Sequence, residues 1–205
     1  MPTQIILHGH YRPWYDTLAK PAPRKGQLSY FGLIRPYKGV ERLLQVFSEL
    51  EGDYRLRAAG LPNPDLVQPL IALAAGDDRI GLTLDYVSDA ELVQVACEAE
   101  LVVLPYVQMH NSGGALAALS LDRPVLVPQN EVNDRLAAEV GPGWVHSYAG
   151  DLTAASLLAA LHEVRTGVRS ERPDLSRRDW DLAAPQHVAA YRRARQLVRS
   201  GRRRR

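Results

Sequence analysis

Residues 27–39 read Gln27-Leu28-Ser29-Tyr30-Phe31-Gly32-Leu33-Ile34-Arg35-Pro36-Tyr37-Lys38-Gly39, and residues 40–50 continue VERLLQVFSEL. The first five have the look of a short strand, and Gly32 allows a tight exit from it. From residue 39 onward, Val40, Leu43, Leu44, Phe47 and Leu50 fall on one face at helical spacing, so residues 39–50 form an amphipathic helix. A strand, a cation-bearing loop and a helix make the opening half of a βαβ unit.

The same alternation continues downstream. Strands are expected at 54–59, 80–84, 101–104, 124–127 and 144–147. Helices are expected at 65–75, 89–99, 113–121 and 132–139, from Asp151, read as an N-cap, to residue 164, and at 178–198 with a break near Pro185. Ser88 and Glu91 make a capping box for the helix at 89–99. Leu101-Val102-Val103-Leu104 is continuously apolar, as a parallel strand covered on both faces must be, and Pro105 stops it. Short strands alternating with helices imply an α/β fold, a doubly wound, Rossmann-like parallel sheet. Upstream, residues 3–8 (TQIILH) read as a short buried strand, and residues 20–26 (KPAPRKG) as a Pro- and charge-rich linker. Residues 1–26 are therefore read as a strand and linker left from an upstream domain, 27–175 as the Rossmann-like body, and 176–205 as a C-terminal helix with a basic tail.

The chain has 205 residues, 46% hydrophobic and 23% charged, which suits one full domain and excludes bulk disorder. Its one cysteine, Cys97, forms no internal disulfide and reads as a small buried hydrophobe, in keeping with a reducing, cytoplasmic setting. No apolar run reaches the ~20 residues that span a bilayer. The net charge of +2 is uneven, because residues 161–205 hold thirteen arginines against five acids, +8, leaving −6 for the rest. The basic end is either a solvated tail or meets an anionic membrane surface, giving a peripheral position at the inner face of the membrane. Nucleic acid is not expected as a partner, since no recognition motif accompanies the basic run.

Ligands of doubly wound sheets sit beyond the carboxyl ends of the strands. At the first such loop, Arg35 and Lys38 set two cations beside a helix start, the combination that phosphate binding uses; the alternative is a solvated loop with incidental charges. At another, Pro105-Tyr106-Val107-Gln108-Met109-His110-Asn111-Ser112-Gly113-Gly114 ends in Ser-Gly-Gly at a helix start. There the glycines admit an oxyanion to the backbone and Ser112 caps or donates. Two such loops on one edge suggest a diphosphate held between them by Arg35, Lys38, Ser112, Gly113 and Gly114. The spacing fits neither a Walker loop nor a G-x-G-x-x-G loop. No His/Cys cluster points to a metal.

With these motifs in order, the chain resembles the C-terminal domain of GT-B glycosyltransferases, of the class that includes glycosyltransferase family 4. Members typically open this domain with Gly-Arg-Leu, three variable residues and Lys-Gly. Gly32 and Lys38 keep that spacing, while Leu33 stands at the family's Arg position, with Arg35 as a substitute. The passage Asp85-Tyr86-Val87, the apolar strand ending Leu104-Pro105-Tyr106, and Asp122-Arg123-Pro124-Val125 match later family motifs. The resemblance covers about residues 27 to 164. The family's two glutamates, eight positions apart, fall here on Met109 and Ala117, so neither carboxylate is present, as in the exopolysaccharide-type mannosyl- and related transferases that Phe31–Lys38 and Asn111-Ser112-Gly113 are similar to.

The resemblance implies the donor-binding half of an enzyme that moves a sugar from a UDP- or GDP-sugar to a glycan or lipid-linked acceptor. The donor is a substrate, and no cofactor is implied. Gly32, Tyr86, Val87, Tyr106, Asn111, Asn130 and Glu131 are its expected nucleotide and sugar contacts, and no catalytic residue is assigned. The acceptor half is expected from an N-terminal domain or partner chain, onto which the last helix, with Trp180 and Tyr191, crosses back. His8 and His10 read as structural, the alternative being that one of them faces the donor. The alternative is a non-catalytic accessory domain that binds a partner protein.

Overall fold

The computed structural model of the protein describes residues 5–107 and 112–202, with side chains to residue 197. Six strands form one sheet: β1 (Gln27–Phe31), β2 (Arg55–Ala59), β3 (Ile80–Thr83), β4 (Leu101–Val103), β5 (Val125–Pro128) and β6 (Val145–Tyr148). Their order is β3-β2-β1-β4-β5-β6 and every pairing is parallel. The chain enters at the middle, winds outward through β2 and β3, then crosses to β4 and winds the other way. The loops leaving β1 and β4 therefore diverge and open a crevice at the carboxyl edge.

Helices α2 (Val40–Ser48), α3 (Pro64–Ala74), α4 (Asp89–Glu98), α5 (Gly113–Ser120), α6 (Glu131–Val140) and α7 (Ala154–Thr166) connect the strands, after a single turn, α1 (Arg12–Tyr15), and before the long α8 (Trp180–Arg202). Every residue of β1 and β4 is buried, so both are central strands of a sheet covered on two faces. Val40, Leu43, Leu44, Val46 and Phe47 turn α2 onto that sheet. In α5, Ala115 to Ser120 are all buried, and the alanines let the helix lie close to its neighbours on every side. Ser88 caps α4 through the expected capping box with Glu91, and Cys97 is buried and free.

Four expectations change. Residues 5–10 form no strand. The segment pairs its backbone with the start of α8 instead of with a strand: the His10 N–H donates to the Arg178 carbonyl (2.9 Å) and the Trp180 indole to the His10 carbonyl (2.8 Å). The linker is tied down, its Arg24 N–H on the Glu98 carbonyl (2.9 Å) and its Gly26 N–H on Glu100 (2.6 Å). Thr153, not Asp151, caps α7, because its hydroxyl lies three residues before Ser156 and accepts that residue's N–H. Pro185 does not break α8; it sits in the exposed second turn and the helix runs on past it.

Phe47 is fully buried where α2 meets the sheet. Phe47→Ala is expected to cost about 3–5 kcal/mol, measured as a lower urea midpoint with an unchanged slope.

Candidate functional site

The loop after β1 is built to hold one shape. Ile34 extends the sheet by one residue: its N–H donates to the Leu61 carbonyl (3.0 Å) and its carbonyl accepts from Asn63 (3.0 Å). Arg35 follows the same seam, one guanidinium nitrogen donating to the carbonyls of Ile34 (2.8 Å) and Leu61 (3.0 Å). Pro36, with its fixed φ, starts a short 3-10 turn through Lys38, and Gly39 closes it at φ +67°. A side chain at Gly39 would overlap the Pro105 carbonyl, so the loops after β1 and β4 touch here. The Val107 N–H donates to the Tyr37 carbonyl (2.9 Å), a second clasp between them.

That clasp lays the Lys38 ammonium over the Tyr106 ring, 3.6 Å from its centroid, with Tyr37 at 5.2 Å. Burial lowers the pKa of Lys38. Burial also raises that of Tyr106, opposed by a hydrogen bond with the Ser112 side chain. Ser112 caps α5, its hydroxyl accepting from the Ala115 N–H (3.1 Å). A Cβ on Gly114 would stand 3.2 Å from the Tyr106 hydroxyl, so glycine keeps that space open.

Gly32, Lys38, Tyr106, Gly113 and Gly114 line one cavity of about 370 Å³. It brings a cation, the backbone start of a helix and aromatic walls together, which suits a phosphate-bearing ligand with a ring attached. Ser112 borders a neighbouring groove of about 270 Å³ between residues 5–8, α5 and α6. The other expected contacts lie apart from the cavity. Arg35 is on the seam with Leu61. Tyr86 is exposed on the loop after β3, and Val87 packs against the core. The Asn130 side chain caps α6, accepting from Asn133 (2.9 Å), and the exposed Glu131 pairs with Arg135. Asn111 and Met109 lie outside the described residues, and Ala117 is on the cavity wall.

The sequence reading missed Tyr11 and Tyr15, which enter the cavity from ahead of the linker. Their only sequence signal is two tyrosines four apart around Pro13, the spacing of one helical turn. A larger cleft, about 1050 Å³, lies at the opposite edge among Arg24, Arg123, Arg165 and Arg169. It borders the amino ends of the strands, where doubly wound sheets do not bind their substrates, so the smaller cavity is the candidate site. Among the described residues, no group of His, Cys, Asp and Glu is placed to hold a metal, and no helix is long and apolar enough to cross a membrane.

The fold matches the lipopolysaccharide outer core galactosyltransferase WaaB with a TM-score of 0.64 at 17% identity, over 85% of this chain and 52% of that one. It matches sucrose-phosphate synthase from Thermosynechococcus elongatus with a TM-score of 0.63 at 15% identity, over 91% and 49%. In sequence, the chain is 47% identical over 191 residues to a GDP-mannose:glycolipid 4-beta-D-mannosyltransferase of Xanthomonas campestris pv. campestris, covering 92% of this chain and 55% of the relative. The chain has the Rossmann-like α/β fold of about one half of these GT-B glycosyltransferases. It spans about half the length of the curated relatives it matches. No protein-family model matches it. The cavity stands where the strand order reverses, and the relative's name agrees with the mannosyl-type resemblance of the sequence.

Lys38 must be protonated to pair with an anion. Because burial lowers its pKa, affinity is full below that pKa and is lost as pH rises through it, sooner than for an exposed lysine. Lys38→Arg stays charged and is expected to flatten the profile. Pyrophosphate titrations from about pH 7 to about pH 10 read the difference.

Proposed function

We propose that this chain is the donor-binding half of a glycosyltransferase that takes a sugar from a nucleoside-diphosphate sugar to a glycan or lipid-linked acceptor. The observation that carries the reading is the convergence of Lys38 and the Gly113–Gly114 helix start on one cavity at the reversal between β1 and β4. The relative's name favours GDP-mannose as donor and a glycolipid as acceptor. As the glycosidic bond breaks, negative charge grows on the leaving diphosphate. The Lys38 ammonium and the free N–H groups opening α5 stabilise that charge without having to reorganise. The donor is a substrate, and no cofactor is invoked.

The acceptor is bound with the help of the remaining part of a full-length transferase or of a partner chain. Trp180, Leu182, Val188 and Tyr191, all substantially exposed on α8, favour a protein contact along that helix. From residue 182 onward the sequence holds eight arginines and no acid, a charge attracted to anionic lipid, where a glycolipid acceptor lies.

Calorimetry with GDP-mannose, GDP, a UDP-sugar and UDP tests the reading. The GDP ligands are expected to saturate the folded chain. Lys38→Ala is expected to weaken them by about tenfold or more with an unchanged melting temperature. Absence of saturable binding by any of the four rejects the proposal.

A further inference from the structure

Tyr11 is tied into the cavity wall by both its backbone and its ring. Its backbone N–H donates to the Ser120 hydroxyl (2.9 Å), which itself donates to the Leu116 carbonyl (2.6 Å), so the residue is fixed to the far end of α5. Its ring lies between those of His8 (5.5 Å between centroids) and Tyr15 (6.0 Å). His8 in turn meets the Trp180 ring at 5.7 Å, at the start of α8. This row of rings, Trp180, His8, Tyr11 and Tyr15, leads from α8 into the cavity. At its inner end the Tyr11 hydroxyl stands 3.4 Å from where a Cβ on Gly113 would be, so glycine leaves that place open for a ligand atom.

No hydrogen bond among the described residues engages the Tyr11 hydroxyl. Burial raises its pKa, so it stays a neutral phenol that donates one hydrogen bond and accepts others. A hydroxyl with no partner among the described residues, beside Gly113 at the opening of α5, is placed for the phosphate and sugar end of a donor. The exposed Tyr86, on the loop after β3, lies away from it.

We propose that Tyr11 is a donor-binding residue, its hydroxyl hydrogen-bonding an oxygen of the nucleoside-diphosphate sugar beside Gly113. This deepens the donor-binding reading and rests on it. It assigns one wall of the donor cavity to the segment ahead of the linker, outside the Rossmann-like unit itself. Tyr15 backs that wall as a packing residue: it is buried, and burial pushes its pKa up to about 12.

The test compares wild type, Tyr11→Phe and Lys38→Ala by calorimetry with GDP and GDP-mannose, alongside melting temperatures. Phenylalanine keeps the ring row and removes only the hydroxyl. Tyr11→Phe is expected to weaken GDP-mannose by about five- to tenfold with an unchanged melting temperature. An equal loss for GDP places the contact on the diphosphate, and a loss confined to GDP-mannose places it on the sugar; either supports the proposal. Wild-type affinity for both ligands in Tyr11→Phe, while Lys38→Ala loses binding, overturns the proposal and leaves the donor site standing. No binding by wild type rejects the donor site itself.

Discussion

The contact between Gly39 and the Pro105 carbonyl governs the rest of the site. Gly39 lies in the left-handed region, and the chain after β1 turns there directly against the chain after β4. Any side chain would separate the two loops. Held together, they leave the Lys38 ammonium one place to go, over the Tyr106 ring, and they leave Tyr106 facing the start of α5. The positive charge, the aromatic floor and the helix start are thus consequences of one close approach, not three independent placements. A lysine on a free loop would sample many rotamers, and ordering it would cost entropy on binding; here much of that ordering is complete before a ligand arrives.

The sheet supplies what that contact needs. Strand β1 pairs with β2 on one side and β4 on the other, so their exits are neighbours by construction. The reversal of strand order sends α2 and α5 to opposite faces, which opens space between the loops at the point where they touch lower down. The alanines of α5 matter for the same reason. With every position from Ala115 to Ser120 buried, larger residues would lift the helix start from the crevice, and Gly113 and Gly114 keep the opening itself clear.

Much of this was legible in the sequence because it is local. The strands and helices of the body follow from period and punctuation: the apolar Leu101–Val103, the face of α2, and the Ser88–Glu91 box each name their own structure. Gly32, Lys38, Gly113 and Gly114 could be singled out because cations and glycines between a strand and a helix have few other uses. What could not be read is non-local. Nothing around Arg35 says that its guanidinium is spent on the carbonyls of Ile34 and Leu61, 26 positions apart from it in the second case. Residues 5–8 have a strand's composition, but a strand needs a partner strand, and the chain here runs to the start of α8, where His10 bonds Arg178 and Trp180. Tyr11 is fixed at the cavity by its bond to Ser120, 109 positions away.

That last connection changes how the domain is bounded. The segment from His8 to Tyr15 precedes the linker, yet it packs between α5 and the start of α8. His10 bonds Asp179 through its ring (2.7 Å) and Trp180 through its carbonyl, while Gly9 has no Cβ because the Trp180 indole occupies that space. Arg178 adds a bidentate pair with Glu139 of α6. Movement of α8 against the sheet must break these bonds or carry residues 8–11 along. The second course moves Tyr11, because the same residues hold its ring between His8 and Tyr15. The cavity and the C-terminal helix therefore share a wall, joined through packed side chains.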